Sequence, residues 1–290
     1  GKIKNTKNKF IKGWLRIVLL ILPYFFTVGI LSLIGMMIVD VDYRAKHPET
    51  SVFQNFIVSL FNLTGTFLVI LFFVKIVDRE SFIDIGLRIS SKIRDMVVGV
   101  FLGLFIMASA FIFLMLSDEI VFGNIKLDIK KLVYMLLLYI VVSLTEEILF
   151  RGYILRNFMY SFNRLYALLL SSVLFSIAHG INPNFDFQAF INLFLAGILL
   201  GISYTYTKNL WFPISLHFSW NFFQSLLGLN ASENDPYSLI KFDTTGNSFI
   251  NISHYTLDKS FLYTCTNIIL IIYVLFWYRH KTKKKELLKQ

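Results

Sequence analysis

Apolar residues run along this chain in blocks as long as a bilayer is thick. A hydrocarbon core of about 30 Å takes about 20 residues of helix. Uncharged stretches of that length fall at 17–39, 52–74, 96–116, 187–207 and 260–278, and the stretch 210–229 is interrupted only by His217. Two more apolar stretches, near 131–160 and 165–179, carry ionisable residues inside them. The pattern predicts an all-α polytopic membrane protein of about eight transmembrane helices, forming one membrane domain over 1–290. The stretch 17–39 follows basic residues, as the apolar part of a signal peptide does. Its length of roughly 23 residues is too great for that role and no small-x-small site follows it, so it reads as a retained first span.

Composition agrees with this pattern. Of the 290 residues 56% are hydrophobic and only 16% charged, where soluble domains carry about 25% charged residues. Five prolines, 15 glycines and one cysteine exclude collagen-like, low-complexity and disulfide-framed chains. Cys265 has no partner for an internal disulfide.

A net charge of +10 would suggest nucleic acid in a soluble protein. Here the cations gather at the ends of the apolar stretches, so no nucleic-acid partner is expected. With eight spans both termini share one side. Lys and Arg on that side number six before residue 17, five over 75–94, three over 151–164, Lys208, and six after 278, or 21 together. The opposite side has seven: Arg44, Lys46, Lys126, Lys130, Lys131, Lys241 and Lys259. The positive-inside rule then predicts a multi-pass protein of the cell membrane with both termini cytoplasmic. The long polar loop near 229–260 falls outside on this scheme, and 78–95 reads as an interfacial amphipathic piece.

Charge inside a span costs about 2.5–3.5 kcal/mol per residue on insertion scales. The chain accepts it at Ser143-Leu144-Thr145-Glu146-Glu147-Ile148-Leu149-Phe150-Arg151-Gly152. Glu147 and Arg151 stand i,i+4 with the acid first, the better order for a helical ion pair. Glu146 points about 100° away and is left to face something else. An unpaired carboxylate in apolar surroundings suits proton transfer. A purely structural network of Glu146, Glu147 and Arg151 is the competing reading.

Two further polar sites sit on later helices. Phe175-Ser176-Ile177-Ala178-His179-Gly180 closes one of them ahead of Asn182-Pro183. Counted from the turn near 160–164, Glu146 and His179 both lie about 21–23 Å deep, so they can meet. Leu216-His217-Phe218-Ser219-Trp220-Asn221 puts His217 and Asn221 on one helix face, with two N–H donors aimed at one point. Counting from Lys208 leaves His217 only about 13 Å deep, a mismatch that a tilted helix or a cavity open to the cytoplasm could absorb. Hydrogen bonding between helices is the ordinary use of His and Asn in membranes.

These motifs, E-E-x-x-x-R, F-x-x-x-H and H-x-x-x-N in that order over roughly 131–225, resemble those of the CPBP family of intramembrane proteases. That family includes the eukaryotic type II CAAX prenyl endopeptidase and bacterial relatives, some linked to bacteriocin processing or self-immunity. The resemblance implies that Glu146 activates water with help from His179, that His217 and Asn221 hold the oxyanion, and that Glu147 and Arg151 support the site. It implies no cofactor and no metal, and a membrane-associated peptide or protein as substrate. Abundant Phe, Ile, Lys and Asn point to an AT-rich bacterial genome, which argues against a prenylated substrate.

Three alternatives are open at this stage. Glu146, His179 and His217 could ligate zinc, although no H-E-x-x-H helix is present and His47, His254 and His280 lie in loops or a terminus. A scaffold or immunity protein could use the same residues without cutting. A transporter could use the acids as an ion path, although the polar residues cluster in one half of the chain.

Overall fold

The computed structural model describes residues 11–42, 44, 50–90, 92–181, 185–229, 237–245 and 260–287, with side chains up to His280. The basic residues at 2–9, the basic side chains after 280, Asn182-Pro183 and most of the 229–260 loop lie outside the described residues. Of the described residues 79% are helical, an all-α polytopic membrane fold.

Each apolar stretch forms a helix. Their order is α1 (Gly13–Ile38), α2 (Val52–Phe72), α3 (Ile93–Leu116), α4 (Ile129–Glu147), α5 (Arg156–Ser161), α6 (Arg164–Ala178), α7 (Phe187–Thr207), α8 (Trp211–Leu226) and α9 (Phe261–Leu287). Among the described residues six helical stretches are long and apolar enough to cross a membrane, α6 is shorter at 15 residues, and α8 has 16. The eight-span count therefore stands at six full-length spans and two shorter helices.

Polar residues mark where helices begin. The side chains of Asp128, Asn163 and Asp186 accept hydrogen bonds from the backbone N–H groups of Lys131, Tyr166 and Ala189, at 3.1, 3.0 and 2.7 Å. Each satisfies a donor that the first helical turn leaves free. Ser51 and Gln54 form a reciprocal capping box at α2.

Apolar side chains cover the outside as well as the inside. Leu22 is 80% exposed, and Phe25, Phe26, Phe101 and Phe105 also project outward. Water would not tolerate such a surface, but acyl chains do. Inside, small residues let helices approach. A Cβ on Gly99 would meet the Ser215 Cβ at 2.9 Å and the Leu216 N at 3.0 Å, and one on Gly197 would meet the Ser172 Cβ at 2.9 Å. The Gly99 and Gly103 stripe thus seats α8 on α3, and Ser219 Oγ adds a hydrogen bond to the Gly99 carbonyl at 3.1 Å.

Among the features that depart from simple α-helical spans is a π-helix at Phe73–Val77, which follows α2. Residues Ile148–Leu155 form a π-helix joining α4 to α5, all eight of them buried. A two-stranded antiparallel sheet pairs β1 (Ile120–Ile125) with β2 (Ile240–Thr244), Ile120 opposite Thr244 and Ile125 opposite Ile240. It ties the α3–α4 connection to the α8–α9 connection, and Tyr237 reinforces it by donating to the Lys126 carbonyl at 3.1 Å.

The segment 82–90 lies within the stretch 78–95 expected to be an interfacial amphipathic piece, and it is packed against the helices. A short 3-10 turn at Phe82–Ile85 packs under the α7–α8 turn, with Ile85 and Leu210 both fully buried. Four hydrogen bonds hold it there: Tyr204 Oη to the Ile85 carbonyl (2.8 Å), Leu210 N to the Gly86 carbonyl (2.9 Å), Asn209 Nδ2 to the Arg88 carbonyl (2.8 Å) and Trp211 Nε1 to the Leu87 carbonyl (3.2 Å). Gly86 takes φ +128°, which a side chain would resist. α8 therefore starts from a buried, roofed turn rather than from an exposed one at Lys208.

Candidate active site

Three helices deliver the polar groups to one place. Glu146 and Glu147 end α4, His179 caps α6, and His217 and Asn221 are one turn apart on α8. Glu146 Oε2 lies 3.6 Å from His179 Nε2 and 3.8 Å from His217 Nε2. Glu146, His179, His217 and Asn221 all line one cavity of about 250 Å³, to which α7 and α9 also contribute side chains.

Arg151 organises the floor beneath them. It is 1% exposed in its side chain and Glu147 is 0% exposed, and Arg151 Nη1 donates to Glu147 Oε1 at 2.8 Å. The pair expected from the i,i+4 spacing is thus present. Arg151 also donates through Nη2 to the Gly197 carbonyl at 3.3 Å and lies 4.4 Å above the centre of the Phe175 ring. One cation joins α4, α6 and α7, with Gly197 leaving room for its carbonyl to be reached. A charge at this depth needs that many partners. The π-helix begins right after Glu147, and its wider turn carries Arg151 toward α7; such segments recur at functional sites.

Hydrogen bonding assigns the protons on both imidazoles. His179 Nδ1 is 2.8 Å from the Phe175 carbonyl, which can only accept, so Nδ1 carries the hydrogen and Nε2 presents a lone pair. His217 Nδ1 is 2.8 Å from Glu147 Oε1, a carboxylate already neutralised by Arg151. It too only accepts, so His217 Nε2 also presents a lone pair when the ring is neutral.

Three acceptor atoms therefore converge: two Nε2 atoms and Glu146 Oε2, which has no hydrogen-bond partner among the described residues. Acceptors do not satisfy one another. The arrangement calls for a water that donates two hydrogens, or for one additional proton shared among the three groups. A water held this way has its own lone pair turned toward the cavity. Among the described residues no group of three His, Cys, Asp or Glu side chains is placed to hold a metal ion.

The motifs did not disclose the rest of the lining. Tyr139, Trp220 and Gln224 lie on helices that carry motif residues, but Tyr263 and Asn267 come from α9, beyond the last motif. An asparagine within an otherwise apolar span was the available signal for Asn267. Glu147 also does more than the spacing suggested, since it holds His217 as well as Arg151.

Residues 128–223 match the family model for type II CAAX prenyl endopeptidase Rce1-like proteins. Over that segment, about a third of the chain, the sequence is similar to this family, one of membrane proteases. No curated protein and no solved structure matches the chain.

Proposed function

We propose, with the similarity of residues 128–223 to the Rce1-like family as the premise, that the protein is an intramembrane endopeptidase in which Glu146 is the catalytic base. The observation that carries this reading is the approach of two imidazole Nε2 atoms to a single Glu146 oxygen, at 3.6 and 3.8 Å.

The reaction begins with water between Glu146 and His179. Glu146 takes one of its protons while the water oxygen bonds to the scissile carbonyl carbon. Negative charge moves to the carbonyl oxygen. Asn221 Nδ2 donates to it, and so does His217 Nε2 once that ring is an imidazolium held by Glu147. This pairing of imidazole and buried carboxylate uses the logic of a serine-protease triad, in which the acid orients the ring and favours its cationic form. The C–N bond then breaks, the proton on Glu146 passes to the leaving amine nitrogen, and the new carboxylic acid gives up the remaining water proton. Both carboxylates have work: Glu146 moves the proton, and Glu147 orients the His217 ring.

The substrate is a membrane-associated peptide or protein, met inside the bilayer. The reading treats the chain as one membrane unit with catalytic helices over 131–225 and both termini cytoplasmic, on the 21-to-7 asymmetry of Lys and Arg. The test compares the membrane peptidomes of cells carrying the intact protein and cells carrying Glu146→Gln. Peptides that disappear in the variant, with the variant folded and present at normal levels, are the expected outcome. Unchanged peptides would remove the mechanism.

A further inference from the structure

Two side chains of the cavity lining take no part in the chemistry above. Trp220 on α8 is 6% exposed, and its ring meets the Tyr263 ring edge-on with centroids 5.2 Å apart. Its indole N–H is buried and has no acceptor among the described residues. Asn267 on α9 is fully buried. Its Nδ2 donates to the Tyr263 carbonyl at 3.0 Å, and its Oδ1 receives no hydrogen bond from the described residues. Both residues line the cavity that contains Glu146.

An unsatisfied buried polar atom costs about 1–3 kcal/mol, and native folds keep few of them. Here two line one cavity and both touch Tyr263: one is a donor, the other an acceptor, and they are not bonded to each other. Both are shielded from water as the side chains stand. A peptide backbone brings the complement of each, a C=O for the indole and an N–H for the amide oxygen.

We propose that Trp220 Nε1 and Asn267 Oδ1 form a main-chain docking pair for the substrate, holding it along the α8–α9 wall so that the scissile carbonyl lies at Glu146. This rests on the protease reading and adds a binding element from α9, outside the family-matched segment. A helical segment has already spent its N–H and C=O groups on itself, so the pair selects substrate that is extended where it is cut. Recognition through the backbone also leaves the side chains of the substrate largely free to vary.

The probe is a synthetic peptide spanning a Glu146-dependent cleavage point from the peptidome comparison, with a set of analogues in which single backbone amides are replaced by esters. Trp220→Phe keeps the ring and loses only the N–H; Asn267→Leu removes the acceptor. Each variant, in lipid nanodiscs, is expected to raise KM about tenfold and to leave kcat within about threefold, the effect of one lost hydrogen bond. One ester analogue should lose about tenfold in kcat/KM on the intact protein and nothing further on Asn267→Leu. Trp220→Phe serves alone if Asn267→Leu does not fold. Unchanged KM in the folded variants, or an ester penalty that persists in Asn267→Leu, overturns the docking pair while leaving the Glu146 mechanism in place. A peptidome without Glu146-dependent cleavage overturns both.

Discussion

Glu147 is shared by Arg151 and His217, so replacing it separates the energetics of the fold from the chemistry. Glu147→Gln keeps the volume and removes the charge. Arg151, 1% exposed, then loses its paired countercharge and keeps neutral partners in the Gln amide oxygen, the Gly197 carbonyl and the Phe175 ring. Breaking a buried pair from one side costs about 3–5 kcal/mol, most of it from the charge left behind. Arg151→Met strands Glu147 in the same way, with His217 as its remaining partner. The double variant strands neither, and exchanging a whole buried pair for neutral residues is often close to neutral. It should therefore be more stable than either single variant. Turnover follows another order. Glu147 Oε1 holds His217 Nδ1 at 2.8 Å, and losing it withdraws one oxyanion donor, worth about 100–1000-fold. Glu147→Gln and the double variant lose that factor, while folded Arg151→Met keeps the carboxylate–imidazole bond and most of its rate. Unfolding can be followed in nanodiscs with a thiol-reactive fluorophore on the single, partly buried Cys265. A double variant less stable than both singles, or Glu147→Gln turning over at the normal rate, would refute the shared-carboxylate reasoning.

Three other outcomes are expected. Cleavage should survive a strong chelator such as 1,10-phenanthroline, since Glu146 and the two imidazoles hold water by hydrogen bonds; loss of activity restored by added zinc would replace the base mechanism with a metal one. Lys208 sits just past α7 with its ammonium pushed down to about 8, by burial first and then by Arg164 and Arg156. Below pH 8 it is charged in both folded and unfolded chains and the burial penalty is present in full. Between pH 8 and its ordinary 10.5 the unfolded chain holds a proton that the folded chain has released, so stability should rise with pH and then level off. Lys208→Met should flatten that rise, as measured by thermal unfolding across the range. Gly99→Val should push α8 off α3 at Ser215 and Leu216, costing about 1–3 kcal/mol and lowering turnover with it; a variant of normal stability and rate would show that this contact does not set the position of His217.

Much of this protein is legible without coordinates, for a reason specific to lipid. A span must satisfy its backbone internally and face acyl chains, so it becomes a helix wherever about 20 apolar residues run together. For the same reason Glu146, Glu147, Arg151, His179, His217 and Asn221 stand out: a polar group at that depth is expensive, and spacing along one helix already pairs Glu147 with Arg151. Residue counting also brings Glu146 and His179 to one level.

What only the tertiary structure decided are relations between helices. That His217 reaches Glu146 depends on the 82–90 segment roofing the α7–α8 turn, through hydrogen bonds between residues more than 110 positions apart. That Glu147 belongs to His217 as much as to Arg151 depends on α8 being seated on α3 by Gly99 and Gly103. The π-helix after Glu147 and the pairing of β1 with β2 are likewise products of packing, because local pattern carries a period for regular elements and none for a widened turn or a partner strand about 120 residues away. Asn267 shows the division most clearly. Its sequence says only that a span contains one amide, and its place in the same cavity as Glu146 comes from α9 packing along α7. Lipid determines what each helix must be from its own residues; which face meets which neighbour is determined by contacts that no single helix contains.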